Sequence, residues 1–411
     1  MQTNLADWIK DSPQGREADA ILRKCVHCGF CLATCPTYNL LGDELDSPRG
    51  RIYLMKEMLE GAPVTQLTQL HLDRCLTCRA CETTCPSGVE YGKLVDVGRA
   101  VVQSRVARSP LDRMRRWVLK SVLPEGPLFG ALLGLGRAMK PVLPARLAAK
   151  IPARRDAGAW PTARHARRML LLDGCVQPAI APSIDAAAAR VLDRLGISLV
   201  RAIGSGCCGA VVMHLDYQRE SLAYAKANID AWWPQIEAGA EAIVVTASGC
   251  ATMVKEYGHL LQHDPAYAAK AARISRLAKD LSEVLSAERA RLAPAYPPGD
   301  GRRVAFHSPC SLQHGQRLLG LVEPLLQDAG FTLTQVPDAH LCCGSAGTYS
   351  LLQPEISRRL RDRKVTSLES GTPAVIATAN VGCLTHMDPV AAVPVRHWIE
   401  LIDSRLSAGR G

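Results

Sequence analysis

From Met169 onward, short apolar runs alternate with longer stretches of helical period. The runs MLLLD, ISLV and AIVVTA have strand length and are separated by the helical segments Ile184–Leu195 and Glu220–Ile236. The same order then returns, with VAFH, FTLTQV and AVIATA separated by Arg317–Ala329 and Glu355–Leu368. Strand–helix–strand–helix–strand in each half predicts α/β units with parallel strands. Residues 1–100 lack such runs and read as mainly α-helical, with one helix start at Ser47-Pro48.

Cysteine positions make the duplication explicit. Cys175, Cys207, Cys208 and Cys250 recur as Cys310, Cys342, Cys343 and Cys383, at offsets of 135, 135, 135 and 133 residues. Each cysteine follows an expected strand, and the carboxyl edge of an open parallel sheet is where α/β folds place their ligands. The four thiols of each copy are therefore expected to converge. The chain divides accordingly into residues 1–100, a basic, proline-rich connection at 101–168, a first repeat at 169–290 and a second at 302–411.

The other eight cysteines are closely spaced. CVHCGFCLATCP holds Cys25, Cys28, Cys31 and Cys35 before Pro36, and CLTCRACETTCP repeats the spacing with Cys75, Cys78, Cys81 and Cys85 before Pro86. This run is the bacterial ferredoxin signature for two [4Fe–4S] clusters, in which the fourth cysteine serves the other cluster. The expected ligand sets are Cys25, Cys28, Cys31 and Cys85 for one, and Cys75, Cys78, Cys81 and Cys35 for the other. A zinc site uses well-separated C-x-x-C pairs instead. Arg49 and Arg51, between the runs, read as solvated or ion-paired; His27 and Arg79 read as surface residues of the loops.

Cys207-Cys208-Gly209 and Cys342-Cys343-Gly344 each precede a helical segment, where the thiolate, the metal-binding form, is favoured. Adjacent cysteines do not readily bridge each other, so shared metal ligation is expected. In the order of its parts the chain resembles, end to end, the iron–sulfur subunits of bacterial glycolate oxidase. These sit in a wider family of Cys-Cys-Gly-domain subunits that serve lactate utilisation, anaerobic glycerol-3-phosphate dehydrogenase and heterodisulfide reductase. Both copies match that family's Cys-x31-Cys-Cys-Gly spacing, but where its fullest motif has a final cysteine this chain has Met253 and His386. A five-thiolate cluster is therefore not expected. The four thiols of each copy, Cys175, Cys207, Cys208 and Cys250, then Cys310, Cys342, Cys343 and Cys383, suit an additional [4Fe–4S] cluster or a zinc ion. Met253 reads as packing, and His386 as either a nitrogen ligand or a hydrogen-bonded core histidine. The resemblance implies an oxidoreductase complex in which this subunit has no catalytic residue. Partner flavoprotein subunits carrying FAD would oxidise glycolate to glyoxylate, and electrons would cross this chain toward a quinone. A D-lactate, glycerol-3-phosphate or heterodisulfide-reductase-like complex is the alternative, as is a thiol–disulfide reductase working at a Cys-Cys-Gly centre.

Composition narrows the picture. Apolar residues make up 47 %, which fits a globular chain. The opening MQTNLADWIKDSPQGREADA has no apolar core, so no signal peptide is expected and the thiols stay reduced in the cytoplasm. The longest apolar stretch, Leu128–Gly136, is about half of the roughly 20 residues a spanning helix needs. Formal net charge is +10, but Val101–Leu170 alone holds fifteen Lys and Arg against Asp112, Glu125 and Asp156, a net +12, which leaves −2 for the rest. With Trp117 and Phe129 among its apolar residues, this stretch suits an interfacial anchor on the cytoplasmic face of an inner membrane; a solvated linker or a docking surface for flavin subunits is the alternative. Nucleic acid is not expected, because the stretch is broken by prolines and no recognition motif accompanies it; a zinc protein that binds nucleic acid is the most distant reading. No G-x-G-x-x-G follows an early strand, so neither flavin nor nicotinamide is expected on this chain. His307, His314, His340 and Asp338 stand near the second copy's loops at no fixed spacing and read as structural.

Overall fold

The computed structural model describes residues 1–144, 148 and 151–408; Arg146 and Lys150 of the basic stretch, and residues 409–411, lie outside them. Three helices begin at Ser-Pro steps. The hydroxyls of Ser12, Ser47 and Ser109 accept from the backbone N–H three residues on, at Gly15, Gly50 and Asp112 (2.9, 2.9 and 3.2 Å). Proline at the first helical position sacrifices no donor there. Helices Pro13–Lys24, Pro48–Leu59 and Tyr91–Arg105 bury Leu22, Met55, Leu59 and Leu94 in the N-terminal core. The last of them runs across the boundary expected at residue 100, because Val101 and Val102 continue its buried face.

Each later half forms a four-stranded, all-parallel sheet. β1 (Arg167–Leu171), β2 (Ile197–Arg201), β3 (Ile243–Val245) and β4 (Ala278–Asp280) lie in the order β2-β1-β3-β4. β5 (Arg303–His307), β6 (Thr332–Leu333), β7 (Val375–Thr378) and β8 (Val395–His397) repeat that order as β6-β5-β7-β8. β4 and β8 are additions to the expected pattern. Each is three residues long with a cation at its centre, Lys279 or Arg396, and so has no apolar run to betray it. The helix expected over Arg317–Ala329 is shorter, Val322–Asp328, because Arg317 and Gly320 take left-handed conformations (φ 59° and 76°) and break it.

Helices Ser183–Arg194 and Trp398–Ala408 meet in one apolar core drawn from both copies. His397 Nε2 donates to the Thr246 carbonyl (3.0 Å), and the Ser248 and Ser311 hydroxyls meet at 2.7 Å, so the two sheets are also joined through polar groups. The basic stretch is folded onto its neighbours rather than solvated. Buried Arg108 pairs with Asp73 (2.6 Å) and Asp216 (2.7 Å), and Arg116 with Asp216 (3.0 Å). Arg164 pairs with Asp193 (2.7 Å), and Arg167 with Glu241 and Glu288 (2.9 and 2.7 Å). Acids of the flanking domains thus balance much of the local positive charge.

An ion-pair network centred on fully buried Asp46 braces the N-terminal domain. Asp46 accepts from Arg51 (3.2 Å), His71 (2.9 Å) and Arg74 (2.8 Å), while Arg51 Nε donates to the His71 carbonyl (2.7 Å). Asp46→Ala would leave the Arg51 guanidinium buried without its carboxylate. The expected cost is about 3–5 kcal/mol, read as a lowered denaturation midpoint; a change under about 1 kcal/mol, the scale of a surface pair, would contradict this account.

Candidate metal centres

Two cavities lie against the cysteine loops. One is lined by Cys25, Cys28 and Cys31 and by Cys85 from the other run. The other is lined by Cys75, Cys78 and Cys81 and by Cys35. Each run's fourth cysteine therefore stands at the other run's loop, and Cys81 reaches the walls of both cavities. The loops coil alike because left-handed residues recur at matching positions: His27 and Gly29 (φ 56° and 85°), then Thr77 and Arg79 (φ 53° and 60°). Such turns aim backbone N–H groups inward, and Thr77 N–H donates to Cys75 Sγ (3.4 Å). Arg79, expected at the surface, is instead largely buried and ion-paired with Glu256 of the first repeat. That pair holds a non-glycine residue in the left-handed region where the other loop uses Gly29.

The two quartets differ in surroundings. Cys28 is exposed, with Val26 and Phe30 beside it each 65 % exposed, whereas Cys35, Cys75 and Cys81 are buried. Burial pushes the Cys31 thiol up to about 11. It raises Cys78 and Cys81 as well, with Cys310 adding to the effect at Cys78 and Cys78 at Cys81. At Cys75 burial acts the same way but is outweighed by the guanidinium groups of Arg51 and Arg99, helped by Thr77 N–H and the Tyr91 hydroxyl (3.6 Å), so its pKa falls. Four thiolates around iron would leave a net anionic group, which Arg51 and Arg99 beside this quartet would compensate. The donor sets and cavities fit [4Fe–4S] clusters. The buried quartet also adjoins the second repeat: Leu76 and Cys78 pack with Cys310, Cys342 and Tyr349. The Tyr349 hydroxyl donates to the Arg74 carbonyl (3.0 Å), and Thr83 Oγ1 lies 2.8 Å from His314 Nδ1.

In each repeat the Cys-Cys-Gly turn is pressed against the helix behind it. Gly209 and Gly344 have φ of 89° and 84°, and a Cβ there would stand 2.9 Å from the Ser221 carbonyl oxygen or 2.5 Å from that of Ser357. The Ser221 and Ser357 hydroxyls donate to the two glycine carbonyls (3.0 and 2.7 Å). The glycine N–H groups meet Cys207 Sγ and Cys342 Sγ, each at 3.4 Å. Glycine is thus required by both conformation and space.

The thiols of each copy do converge. In the first, Cys207 adjoins Cys175 and Cys208, and Cys208 adjoins Cys250. In the second, Cys310 Sγ and Cys342 Sγ are 3.8 Å apart, Cys342 adjoins Cys343, and Cys343 adjoins Cys383. At Cys207 the pKa falls, through hydrogen bonding with Cys175 and Cys208 and with the Gly209 N–H and against the effect of burial. Cys208, Cys342 and Cys343 depart from the thiolate expected ahead of a helix: hydrogen bonding to Cys207 and Cys250 and then burial raise Cys208, and hydrogen bonding to Cys343 or Cys383 together with burial raises Cys342 and Cys343. Met253 packs in the apolar cluster that holds Cys208. His386 Nε2 lies 3.1 Å from Ser357 Oγ. His314 Nε2 donates to the His340 carbonyl (3.0 Å), and Asp338 pairs with Arg363 (2.7 Å). His307 differs from these three. Its ring adjoins the thiols of Cys343 and Cys383, and neither ring nitrogen has a partner. No spacing motif marked it.

Paired loops that exchange their fourth cysteines, joined to a duplicated parallel α/β unit with converging thiols, define an iron–sulfur oxidoreductase subunit with Cys-Cys-Gly repeats. The 4Fe-4S dicluster domain family matches residues 21–89, and the cysteine-rich domain family matches 169–255 and 304–388. The chain is 56 % identical over 407 residues to the glycolate oxidase iron-sulfur subunit of Escherichia coli, covering 99 % of each. It is 30 % identical to the probable glycolate oxidase iron-sulfur subunit of Bacillus subtilis, over 92 % of this chain and 91 % of that one. Lactate utilization protein A of Bacillus velezensis, also 30 % identical, matches 56 % of this chain and 97 % of its own. A hypothetical protein from Helicobacter pylori has a similar fold, with TM-score 0.51 and 9 % identity, covering 96 % of this chain and 72 % of that one. The chain belongs to the family of glycolate oxidase iron–sulfur subunits.

Proposed function

We propose that this chain is the electron-transfer subunit of a glycolate-oxidising complex. It holds one [4Fe–4S] cluster on Cys25, Cys28, Cys31 and Cys85 and a second on Cys75, Cys78, Cys81 and Cys35. The exchange of fourth cysteines between the two cysteine-lined cavities carries the reading. Such clusters supply one-electron redox chemistry. Oxidation of glycolate to glyoxylate releases two electrons, so FAD on partner flavoprotein subunits accepts the pair and releases them singly. The route across this chain has a solvent-facing end at exposed Cys28 and an internal end where Cys78 meets Cys310 and Cys342. A quinone is the acceptor, which sets the protein at the cytoplasmic face of an inner membrane.

No single helix among the described residues is long and apolar enough to cross a membrane. Helices Pro110–Val122 and Gly126–Met139 nonetheless expose Leu111, Met114, Trp117, Leu132 and Leu135, with exposed Arg113 and Arg115 on the first. An apolar surface rimmed with cations suits peripheral contact with anionic lipid.

Cys85→Ser is expected to remove about half of the iron and to lose the same spectroscopic signal as Cys25→Ser. Cys35→Ser should instead resemble Cys75→Ser. If Cys85→Ser resembled Cys75→Ser, the ligand exchange would be wrong. The full chain is also expected to co-sediment with vesicles rich in anionic lipid, and Trp117→Ala combined with Leu135→Ala to lower the bound fraction severalfold. Absence of binding, or binding indifferent to that double substitution, would remove the membrane reading.

A further inference from the structure

His307 ends β5, where the parallel register sets it beside Thr378 of β7. The residue is 2 % exposed, and both of its ring nitrogens lack a hydrogen-bond partner. Buried polar atoms are nearly always partnered, so an imidazole with neither nitrogen satisfied points to a missing group. A ring nitrogen of His307 and the Sγ atoms of Cys343 and Cys383 all lie within 4.8 Å of one another. Cys310 Sγ and Cys342 Sγ, 3.8 Å apart, continue the cluster through Cys343.

We propose that the second repeat holds a transition-metal centre with mixed imidazole and thiolate ligands, in which His307 supplies the nitrogen beside Cys343 and Cys383. Cys310 and Cys342 complete the donor set. Imidazole with thiolates suits zinc or the iron of a cluster. The histidine at position 386 does not take this role, because its Nε2 is engaged by the Ser357 hydroxyl at 3.1 Å. The first repeat has no counterpart: the residue 135 positions earlier is Leu172, 4 % exposed within an apolar cluster. Its centre is left with thiols alone, so the two copies, alike in fold, hold different ligand sets. His307 adds to four thiols rather than replacing one, so a four-coordinate zinc would take it with three of them, whereas an iron centre would gain a neutral ligand and no further negative charge. The inference does not rest on the ferredoxin-type ligand assignment, since none of its donors is among the first eight cysteines.

The test is metal analysis of the anaerobically purified full chain, with X-ray absorption at the zinc edge and pulsed EPR for imidazole nitrogen coupled to iron. Zinc is expected to show nitrogen at about 2.0–2.1 Å beside sulfur at about 2.3 Å; an iron centre is expected to show the nitrogen coupling. His307→Ala should abolish the nitrogen signature and lower the bound metal, while His386→Ala keeps both. His307→Cys should retain metal with sulfur-only coordination, which separates lost ligation from lost folding. Three outcomes overturn the proposal: sulfur-only coordination in the unaltered chain, a nitrogen signature that survives His307→Ala, or no metal beyond the ferredoxin-type iron. That iron is read by its own EPR signals, so its absence would count against the electron-carrier reading and not against this one.

Discussion

A thiolate taken out of water must be compensated by a cation, by hydrogen-bond donors or by a proton, and this chain buries most of its sixteen cysteines. The surrounding structure answers that demand differently at each site. Arg51 and Arg99 stand beside Cys75. Backbone N–H groups meet Cys75, Cys207 and Cys342. Elsewhere, as at Cys78 and Cys81, burial favours the protonated thiol, a state that metal binding would replace by displacing the proton. Asp46, which anchors Arg51, is therefore part of the thiol environment: its carboxylate touches no sulfur, but its backbone carbonyl accepts from Cys35 Sγ at 3.7 Å.

The arrangement joins domains through their cysteine sites. The second repeat reaches the buried ferredoxin-type quartet through Cys310, Cys342 and Tyr349. The first repeat reaches the same domain through the ion pair of Arg79 and Glu256. The connection between the domains, which looks like a free basic linker by composition, is fastened to both sides by Arg108, Arg116 and Arg167. These contacts fix how far the sulfur groups stand from one another, which a chain passing single electrons requires.

Much of this was legible in the sequence, for physical reasons that differ by site. The grouping of the first eight cysteines follows from local spacing, which a short loop obeys whatever surrounds it. The duplicated α/β fold follows from apolar runs and the cysteine offset of 135 residues. β4 and β8 were hidden because three residues around a solvent-facing Lys279 or Arg396 carry no periodic signal. The burial of Arg79 was hidden because its acid, Glu256, lies in another domain; that of Arg51 because, besides Asp46 five residues away, it depends on Thr37 and on the His71 carbonyl twenty residues on. His307 was hidden for the same kind of reason: only the fold carries it to Cys343 and Cys383, and no fixed separation in sequence encodes that meeting.

The central claim is that two iron–sulfur clusters share the N-terminal domain, held by cysteines crossing between its two loops. Low-temperature EPR of the dithionite-reduced full chain, with iron and zinc measured on the same anaerobic sample, tests it most directly. The account predicts at least about eight irons per chain and two reduced-cluster signals that interact magnetically, since Cys81 lies between the two cavities. Stoichiometric zinc with little iron, and no such signals, in protein kept from oxygen throughout would contradict it.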